Sequence, residues 1–257
     1  PPLRGSIYFM ATGASPAMKT KDEIRREIWL LLRARKVARF PGAEGRIPNF
    51  TGAEACAKLL PELAAWRSAR VVKVNPDSPQ RAVRQRALAE GKVLYMAVPR
   101  LREPKPFIEL DPKRLEVSAY RASSIVGAFK FGRPVALEEM KKIDLVVCGS
   151  VAVDLSGARA GKGGGYSDLE YALLREAKKV RADTPIITTV HPLQIVEGGI
   201  PMAAHDLPLD AVVTPGKVAL LDPEYKKPRG VYWDLLPPEK IAVIPVLKQK
   251  RLETRAV

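Results

Sequence analysis

The 257-residue sequence contains few cysteines, few side-chain amides and no long apolar run. Its two cysteines, Cys56 and Cys148, are too few for a disulfide framework, and both stand in apolar stretches typical of buried thiols in a reducing compartment. No window approaches the roughly 18 consecutive apolar residues of a membrane span. We therefore expect a cytoplasmic protein without a membrane segment, rather than a disulfide-rich secreted domain.

Asparagine occurs only twice and glutamine four times, whereas proline occurs 23 times. Few thermolabile amides and many prolines predict a thermophilic source. Lysine and arginine total 43 against 28 acidic residues, which gives a formal net charge of +15. This charge attracts polyanions, including nucleotides and polyglutamyl chains, but no run of five or six like charges marks a basic tail.

The chain divides into a short leader and one α/β domain. Residues 1–18 carry one charge and an apolar stretch shorter than the roughly 7–15 residues of a secretory signal, so we expect an extension there and a single domain over residues 19–257. Thr20 and Glu23 form a predicted capping box, and the apolar residues that follow recur with a helical period. A second predicted helix, residues 53–66, contains Pro61, which should kink or split it.

Short β-branched runs alternate with helical stretches in the rest of the chain. We predict strands over residues 70–74, 92–98, 143–149, 185–190 and 211–214. Helices are predicted over residues 79–90 and 168–181, and the last thirty residues should wrap the body. This alternation predicts a three-layer αβα fold with a mostly parallel sheet.

A glycine-rich loop between a strand and a helix is the most informative segment. Residues 161–165 read GKGGG, and Ser167 with Glu170 predicts a capping box for the following helix. Free backbone N–H groups and the helix dipole favour an anion at such a position, and Lys162 adds a positive charge. The spacing fits neither a Walker A motif nor a Rossmann fingerprint. A flexible surface turn is the alternative interpretation of the same glycines.

Residues 159–168, RAGKGGGYSD, resemble the R-x-G-x-G-x-G-Y-Y-D loop of the 5-formyltetrahydrofolate cyclo-ligases. Similar family patterns surround the loop: the strand and turn at residues 144–154, Gln194 and the segment His205–Thr214 downstream, and K-x-x-I-R at Lys21. Several details, including VNPDSPQR at residues 74–81, are closer to a divergent branch, the methenyltetrahydrofolate synthase domain-containing proteins.

The resemblance implies a NagB/RpiA/CoA-transferase-like fold and a reaction that uses ATP and Mg²⁺. In that reaction the formyl oxygen of the folate attacks the γ-phosphate, and the second folate nitrogen then closes the ring as phosphate leaves. The resemblance implies catalytic roles for Arg159 and Lys162 and a magnesium ligand in Asp168. It further implies a nucleotide site made of Lys21, Arg25, Gly161, Lys162, Gly163, Gly164, Gly165 and Tyr166.

The sequence also departs from the family pattern. Ser167 replaces the second loop tyrosine, Asp77 stands in a segment that lacks its usual glutamate, and Arg133-Pro134 replaces Glu-Pro. An arginine in place of a pocket carboxylate would invert the local charge around an NH-rich pterin. The substrate is therefore either a formylated folate or a related heterocycle, a thiamin-related one included.

A second hypothesis is a non-catalytic RNA- or polyanion-binding protein on the same fold, which the net charge allows but does not favour. The arginines at positions 81, 84 and 86 are interpreted first as a solvated helix face. His191 and His205, the only histidines, are too isolated for a metal site, although either could line a pocket. We expect a monomer or a homodimer.

Overall fold

The structure is a computed structural model that describes residues 18–255. The predicted leader therefore lies outside the described residues, apart from Met18. Within residues 18–255, no helix combines the length and the apolar character needed to cross a bilayer.

Strands and helices alternate around one central sheet. The strands are β1 (Val71–Val74), β2 (Val93–Ala97), β3 (Phe107–Leu110), β4 (Arg133–Val135), β5 (Leu145–Cys148), β6 (Ala152–Val153), β7 (Arg159–Ala160), β8 (Ile186–Thr189), β9 (Ala211–Thr214) and β10 (Lys217–Leu220). The helices are α1 (Lys21–Ala34), α2 (Ala53–Leu59), α3 (Ala64–Ser68), α4 (Arg81–Ala89), α5 (Ala119–Ala122), α6 (Ile125–Phe131), α7 (Tyr166–Glu176), α8 (Pro238–Val243) and α9 (Pro245–Arg255).

Eight strands form the central sheet in the order β10-β9-β8-β5-β1-β2-β3-β4. The five inner strands, from β9 to β2, pair in parallel, whereas β10, β3 and β4 pair antiparallel at the edges. The inner strands are nearly continuous runs of buried residues because helices cover both faces. The predicted mostly parallel sheet is confirmed, but the sequence did not reveal β3 and β4. Pro134 fits β4 because an edge strand tolerates a missing N–H.

Alternate residues of β5 show that the sheet is the middle of three layers. Leu145 and Val147 pack in the core cluster that holds α2, α3 and α4. Val146 and Cys148 pack in the opposite cluster, which holds α7 and the C-terminal helices. Side chains alternate between the two faces of a strand, so each cluster forms one face of the sheet. This confirms the predicted three-layer arrangement.

The N-terminal helix begins where the sequence predicts. Oγ1 of Thr20 accepts from the backbone N of Glu23 at 3.3 Å, and the Glu23 carboxylate accepts from the backbone N of Thr20 at 2.8 Å. This confirms the capping box. The buried face of α1 packs against the hairpin of β6 and β7, which brings the start of the helix next to the glycine-rich loop. Further along, Pro61 separates α2 from α3 through a single 3₁₀ turn, as predicted.

Candidate active site

The glycine-rich loop joins β7 to α7, and its helix starts earlier than the sequence predicts. Gly165 is the residue before the helix, with a φ of +62°, and Tyr166 is the first helical residue. A left-handed conformation there suits glycine, which lacks the Cβ clash. The predicted capping box at Ser167 and Glu170 is wrong, since no side chain caps this helix. Instead, Ser167 accepts a hydrogen bond from Asn75, and Glu170 accepts one from Lys73.

Two cavities flank the loop. The larger has a volume of about 630 Å³ and lies between the loop, the segment after β1 and the segment after β2. The smaller has a volume of about 500 Å³ and lies between the loop, the start of α1 and residues 201–206. Four residues line both cavities: Arg159, Gly161, Gly165 and Asp168. A ligand bound in one cavity would therefore meet a ligand bound in the other at the glycine-rich loop.

Two basic residues of α1 lie at the smaller cavity, as the family resemblance implied. Nζ of Lys21 lies 2.5 Å from Oδ2 of Asp206. Nε of Arg25 donates to the carbonyl oxygen of Gly161 at 2.6 Å, and Nη1 of the same arginine pairs with Asp22 at 2.5 Å. Their i, i+4 spacing places both side chains on one face of the helix. The smaller cavity thus combines cationic side chains with glycine backbone, which suits phosphate groups.

Arg159 and Asp168 form a buried ion pair in the wall that the cavities share. Nη2 of Arg159 donates to Oδ1 of Asp168 at 2.5 Å, and its other nitrogens donate to the carbonyls of Leu207 and Gly149 at 3.0 and 3.2 Å. Burial alone would raise the pKa of Asp168, but the charge of Arg159 and the hydrogen bonds from Leu207 and Arg159 outweigh it and lower this pKa. Three acceptors thus engage the guanidinium, so Arg159 organises the wall as well as lining it.

Lys162 lies at the mouth of the larger cavity and contacts the opposite wall. Its Nζ is 3.2 Å from Oδ1 of Asp77, in the segment that follows β1. Arg84 fixes that segment by donating to the carbonyls of Asn75 at 2.5 Å and Asp77 at 3.1 Å. The interpretation of Arg84 as part of a solvated face is wrong, because the side chain is fully buried. Burial lowers its pKa to about 10, and the arginine remains cationic at neutral pH.

A polar network lies beneath the larger cavity. Lys73 of β1 donates to the carboxylate of Glu170 and, at 2.6 Å, to Oδ1 of Asn75. Nδ2 of Asn75 donates to Oγ of Ser167 at 2.5 Å. Burial raises the pKa of Glu170, although the charge of Lys73 opposes this effect. The network joins the central strand to the first turn of α7, which fixes the orientation of the glycine-rich loop relative to the sheet.

Arg133 and the two histidines, which the sequence also singled out, differ in their positions relative to the two cavities. Arg133 lies outside the lining of both cavities and pairs with Glu109 and Glu139 at 3.0 and 3.1 Å, so the expected inversion of pocket charge does not arise from it. His205 lines the smaller cavity, whereas His191 lines neither. Over residues 18–255, no three His, Cys, Asp or Glu side chains are grouped to hold a metal ion.

Sequence reasoning missed a lysine that contacts the loop from the far end of the chain. Nζ of Lys240, in α8, donates to the carbonyl oxygen of Gly164 at 2.7 Å and lies 4.8 Å from the ring centroid of Tyr166. No motif or spacing relates these residues, because 76 positions separate the lysine from the glycine. For Lys73 a signal existed, since this charged residue stands alone in the apolar run VVKV, residues 71–74, and a buried charge requires a partner.

Comparisons with known proteins show what this chain is similar to. A sequence model described as the 5-formyltetrahydrofolate cyclo-ligase family matches residues 17–215. The methenyltetrahydrofolate synthase domain-containing protein of Mus musculus is 40% identical over 243 residues, which cover 90% of this chain and 63% of the relative. The Bos taurus protein of the same name is 38% identical, with 90% and 62% covered. The chain thus spans less than two thirds of the length of these relatives.

One solved structure is similar in fold. The NMR structure of Aquifex aeolicus 5,10-methenyltetrahydrofolate synthetase matches with a TM-score of 0.50 and 22% identity. The match covers 78% of this chain and 92% of that one. At this identity the likeness concerns the three-layer fold alone.

Proposed function

The chain belongs to the 5-formyltetrahydrofolate cyclo-ligase family, and we propose that it is an ATP-dependent ligase that closes the ring of a formylated folate. The observation that carries the proposal is the pair of cavities that meet at the glycine-rich loop. The smaller cavity has the cations and glycine backbone that suit a triphosphate, and the larger has room and polar groups for a heterocycle. Two reactants held this way would meet at the γ-phosphate, which is the positioning that phosphoryl transfer requires.

In the proposed reaction the formyl oxygen of 5-formyltetrahydrofolate attacks the γ-phosphorus of ATP, and the bond to the ADP oxygen breaks. The second folate nitrogen then attacks the activated formyl carbon and loses its proton to the departing phosphate. Inorganic phosphate leaves with the former formyl oxygen, and 5,10-methenyltetrahydrofolate remains. Lys21 and Arg25 would bind the phosphates of ATP from the smaller cavity. Lys162 would exchange its contact with Asp77 for the γ-phosphate, where it would stabilise developing negative charge.

Asp168 is the residue of this site that suits a magnesium ion. Both of its hydrogen bonds use Oδ1, and among residues 18–255 no hydrogen bond reaches Oδ2. Mg²⁺ in nucleotide sites takes one or two carboxylates together with phosphate oxygens and water, which this single carboxylate permits. When bound, the ion would neutralise phosphate charge. Arg159 would keep the Asp168 carboxylate ionised and oriented for that purpose.

The test combines product formation with nucleotide binding. Purified protein is incubated with 5-formyltetrahydrofolate, ATP and Mg²⁺, while methenyl absorbance and phosphate release are recorded. We expect both signals to appear together. ATP hydrolysis without a methenyl product would indicate that the substrate is another heterocycle, and a thiamin-related compound would be tested next. Absence of ATP binding in calorimetry would refute the nucleotide assignment itself.

A matched pair of variants locates the phosphate site. Lys162→Ala should weaken ATP binding by about tenfold, the cost of one charge-assisted hydrogen bond. Lys58→Ala removes an exposed lysine on α2, which lines neither cavity, and should leave ATP affinity unchanged. Equal affinity in Lys162→Ala and wild type would remove Lys162 from the site.

The cytoplasmic location, the thermophilic source and the oligomeric state stay predictions.

A further inference from the structure

The C-terminal segment, residues 229–250, contacts both ends of α7. At the end of the helix, the carboxylate of Glu176 accepts from the backbone N of Val231 at 2.9 Å, and its other oxygen lies 3.6 Å from Nζ of Lys250. At the beginning of the helix, Lys240 reaches the carbonyl of Gly164. The segment follows the part of the chain that matches the family model, which ends at residue 215.

Buried apolar residues on the C-terminal side of Lys240 anchor this segment to the protein. Ile241, Ile244 and Leu247 are buried in the same core cluster as Leu169 and Leu173 of α7. Burying side chains of this size contributes about 1.5–3 kcal/mol each, an upper estimate because unfolded chains are partly compact. The backbone of α8 is therefore held against α7 independently of Lys240, so the lysine is presented to the loop from a fixed base.

Lys240 makes two contacts at the glycine-rich loop and lies close to a third residue, Gly165. Its Nζ donates to Gly164 at 2.7 Å, and the ring centroid of Tyr166 lies 4.8 Å away. A Cβ at Gly165 would lie 3.3 Å from the same nitrogen. Burial lowers the pKa of Lys240, although Asp168 opposes this shift. No carboxylate of the described chain lies within ion-pair distance, so the contacts of this cation are with the loop.

The segment also reaches the opposite wall of the smaller cavity. The ring of Tyr232 packs edge-on against His205, with centroids 6.4 Å apart, and His205 lines that cavity. The same segment therefore contacts the glycine-rich loop and the segment that faces it across the cavity. Ordering a glycine-rich loop costs much conformational entropy. Contacts from the C-terminal segment therefore determine whether the loop is already ordered before a ligand binds.

We propose that Lys240 is a positioning residue of the nucleotide site. It holds the peptide of Gly164 and the ring of Tyr166, so that the loop is preformed for the phosphates of ATP. The inference rests on the proposed function for its ligand, but the ordering of the loop does not depend on that ligand. Removing Lys240 should therefore loosen the loop in the free protein and weaken ATP binding, because the loop must then be ordered by the nucleotide.

Three variants and two readouts test the proposal. Lys240→Met keeps the chain length but removes the charge and donor, Lys240→Arg keeps both, and Lys248→Met removes an exposed lysine of the same segment. In calorimetry we expect Lys240→Met to weaken Mg·ATP binding about tenfold, Lys240→Arg less than about threefold, and Lys248→Met not at all. In steady-state kinetics the KM for ATP should rise in Lys240→Met more than kcat falls.

Amide hydrogen exchange of the nucleotide-free protein is the second readout. Lys240→Met should increase exchange in residues 161–166 at least about fivefold and leave α4 unchanged. Wild-type ATP affinity and unchanged loop exchange in Lys240→Met would overturn the inference. If the wild type does not bind ATP, the proposed function is wrong. Amide hydrogen exchange of residues 161–166 then tests by itself whether Lys240 orders the loop. Should Lys240→Met not fold, Lys240→Gln, which keeps a neutral donor, is used for the same measurements.

Discussion

Replacing Asp168 by asparagine tests the buried pair that both cavities share. The substitution keeps the size of the side chain and one oxygen acceptor but removes the negative charge beside Arg159. Arg159 is 3% exposed, and its guanidinium would keep only neutral acceptors: the asparagine oxygen and the carbonyls of Leu207 and Gly149. Its positive charge would then be buried without a counter-charge, which is the situation that makes a broken buried pair costly.

The magnitude follows from the remaining contacts of Arg159. Removing one partner of a buried pair costs about 3–5 kcal/mol, and a hydrogen bond to a charged group contributes about 1.5–3 kcal/mol. Because asparagine still accepts a hydrogen bond, we expect Asp168→Asn to lower the free energy of unfolding by about 2–3 kcal/mol at pH 7. The exposed pair of Lys19 and Glu27 supplies the control, and Glu27→Gln should change stability by less than about 1 kcal/mol.

The difference between the wild type and Asp168→Asn should depend on pH in a defined direction. The pKa of Asp168 is lowered in the folded protein from an ordinary value of 3.8, so the ionised carboxylate favours folding. Its contribution is fully present above the ordinary value and is lost as the pH falls through the lower folded value. The two proteins should therefore differ by a constant amount between about pH 5 and 8 and converge at lower pH.

Urea unfolding followed by circular dichroism measures this difference across the pH range. Equal slopes of free energy against urea would show that the substitution alters stability rather than the unfolded state. A free energy of unfolding for Asp168→Asn within about 0.5 kcal/mol of the wild-type value at pH 7, a range typical of surface substitutions, would contradict this prediction. A difference between the two proteins that grows, instead of shrinking, below pH 4 would contradict it as well.

Two further predictions concern buried groups. Lys73→Met leaves the carboxylate of Glu170 buried without its partner and should lower the free energy of unfolding in urea by about 3–5 kcal/mol. The double variant Lys73→Met/Glu170→Leu removes the unpaired carboxylate and should recover most of that stability. A double variant less stable than the single one would contradict this prediction. Burial raises the pKa of Cys56 to about 12 and also raises that of Cys148, so neither thiol should react with an aromatic disulfide reagent in the folded protein at pH 7.5. Two thiols per chain should react in denaturant, and a fast-reacting thiol in the folded state would be the contrary result.

Short-range patterns of residues by themselves determine several features of this protein. The start of α1, the interruption at Pro61 and the inner strands depend on hydrogen bonds, ring geometry and burial within a few residues, so short windows suffice to predict them. The family motif likewise marked the glycine-rich loop together with Lys21 and Arg25. The structure brings these basic residues to that loop.

Other features were decided only by tertiary structure. The predicted cap at Ser167 failed because its hydroxyl accepts from Asn75, and Glu170 pairs with Lys73, a residue 97 positions away. Arg84 is buried because its guanidinium meets carbonyls of two other segments, and Lys240 meets the loop because α8 docks on α7. Strand order and helix docking determine which of these distant residues come into contact, and both depend on the packing of the whole chain. Side chains that are distant in sequence therefore complete the site, although no local sequence pattern predicts their contacts.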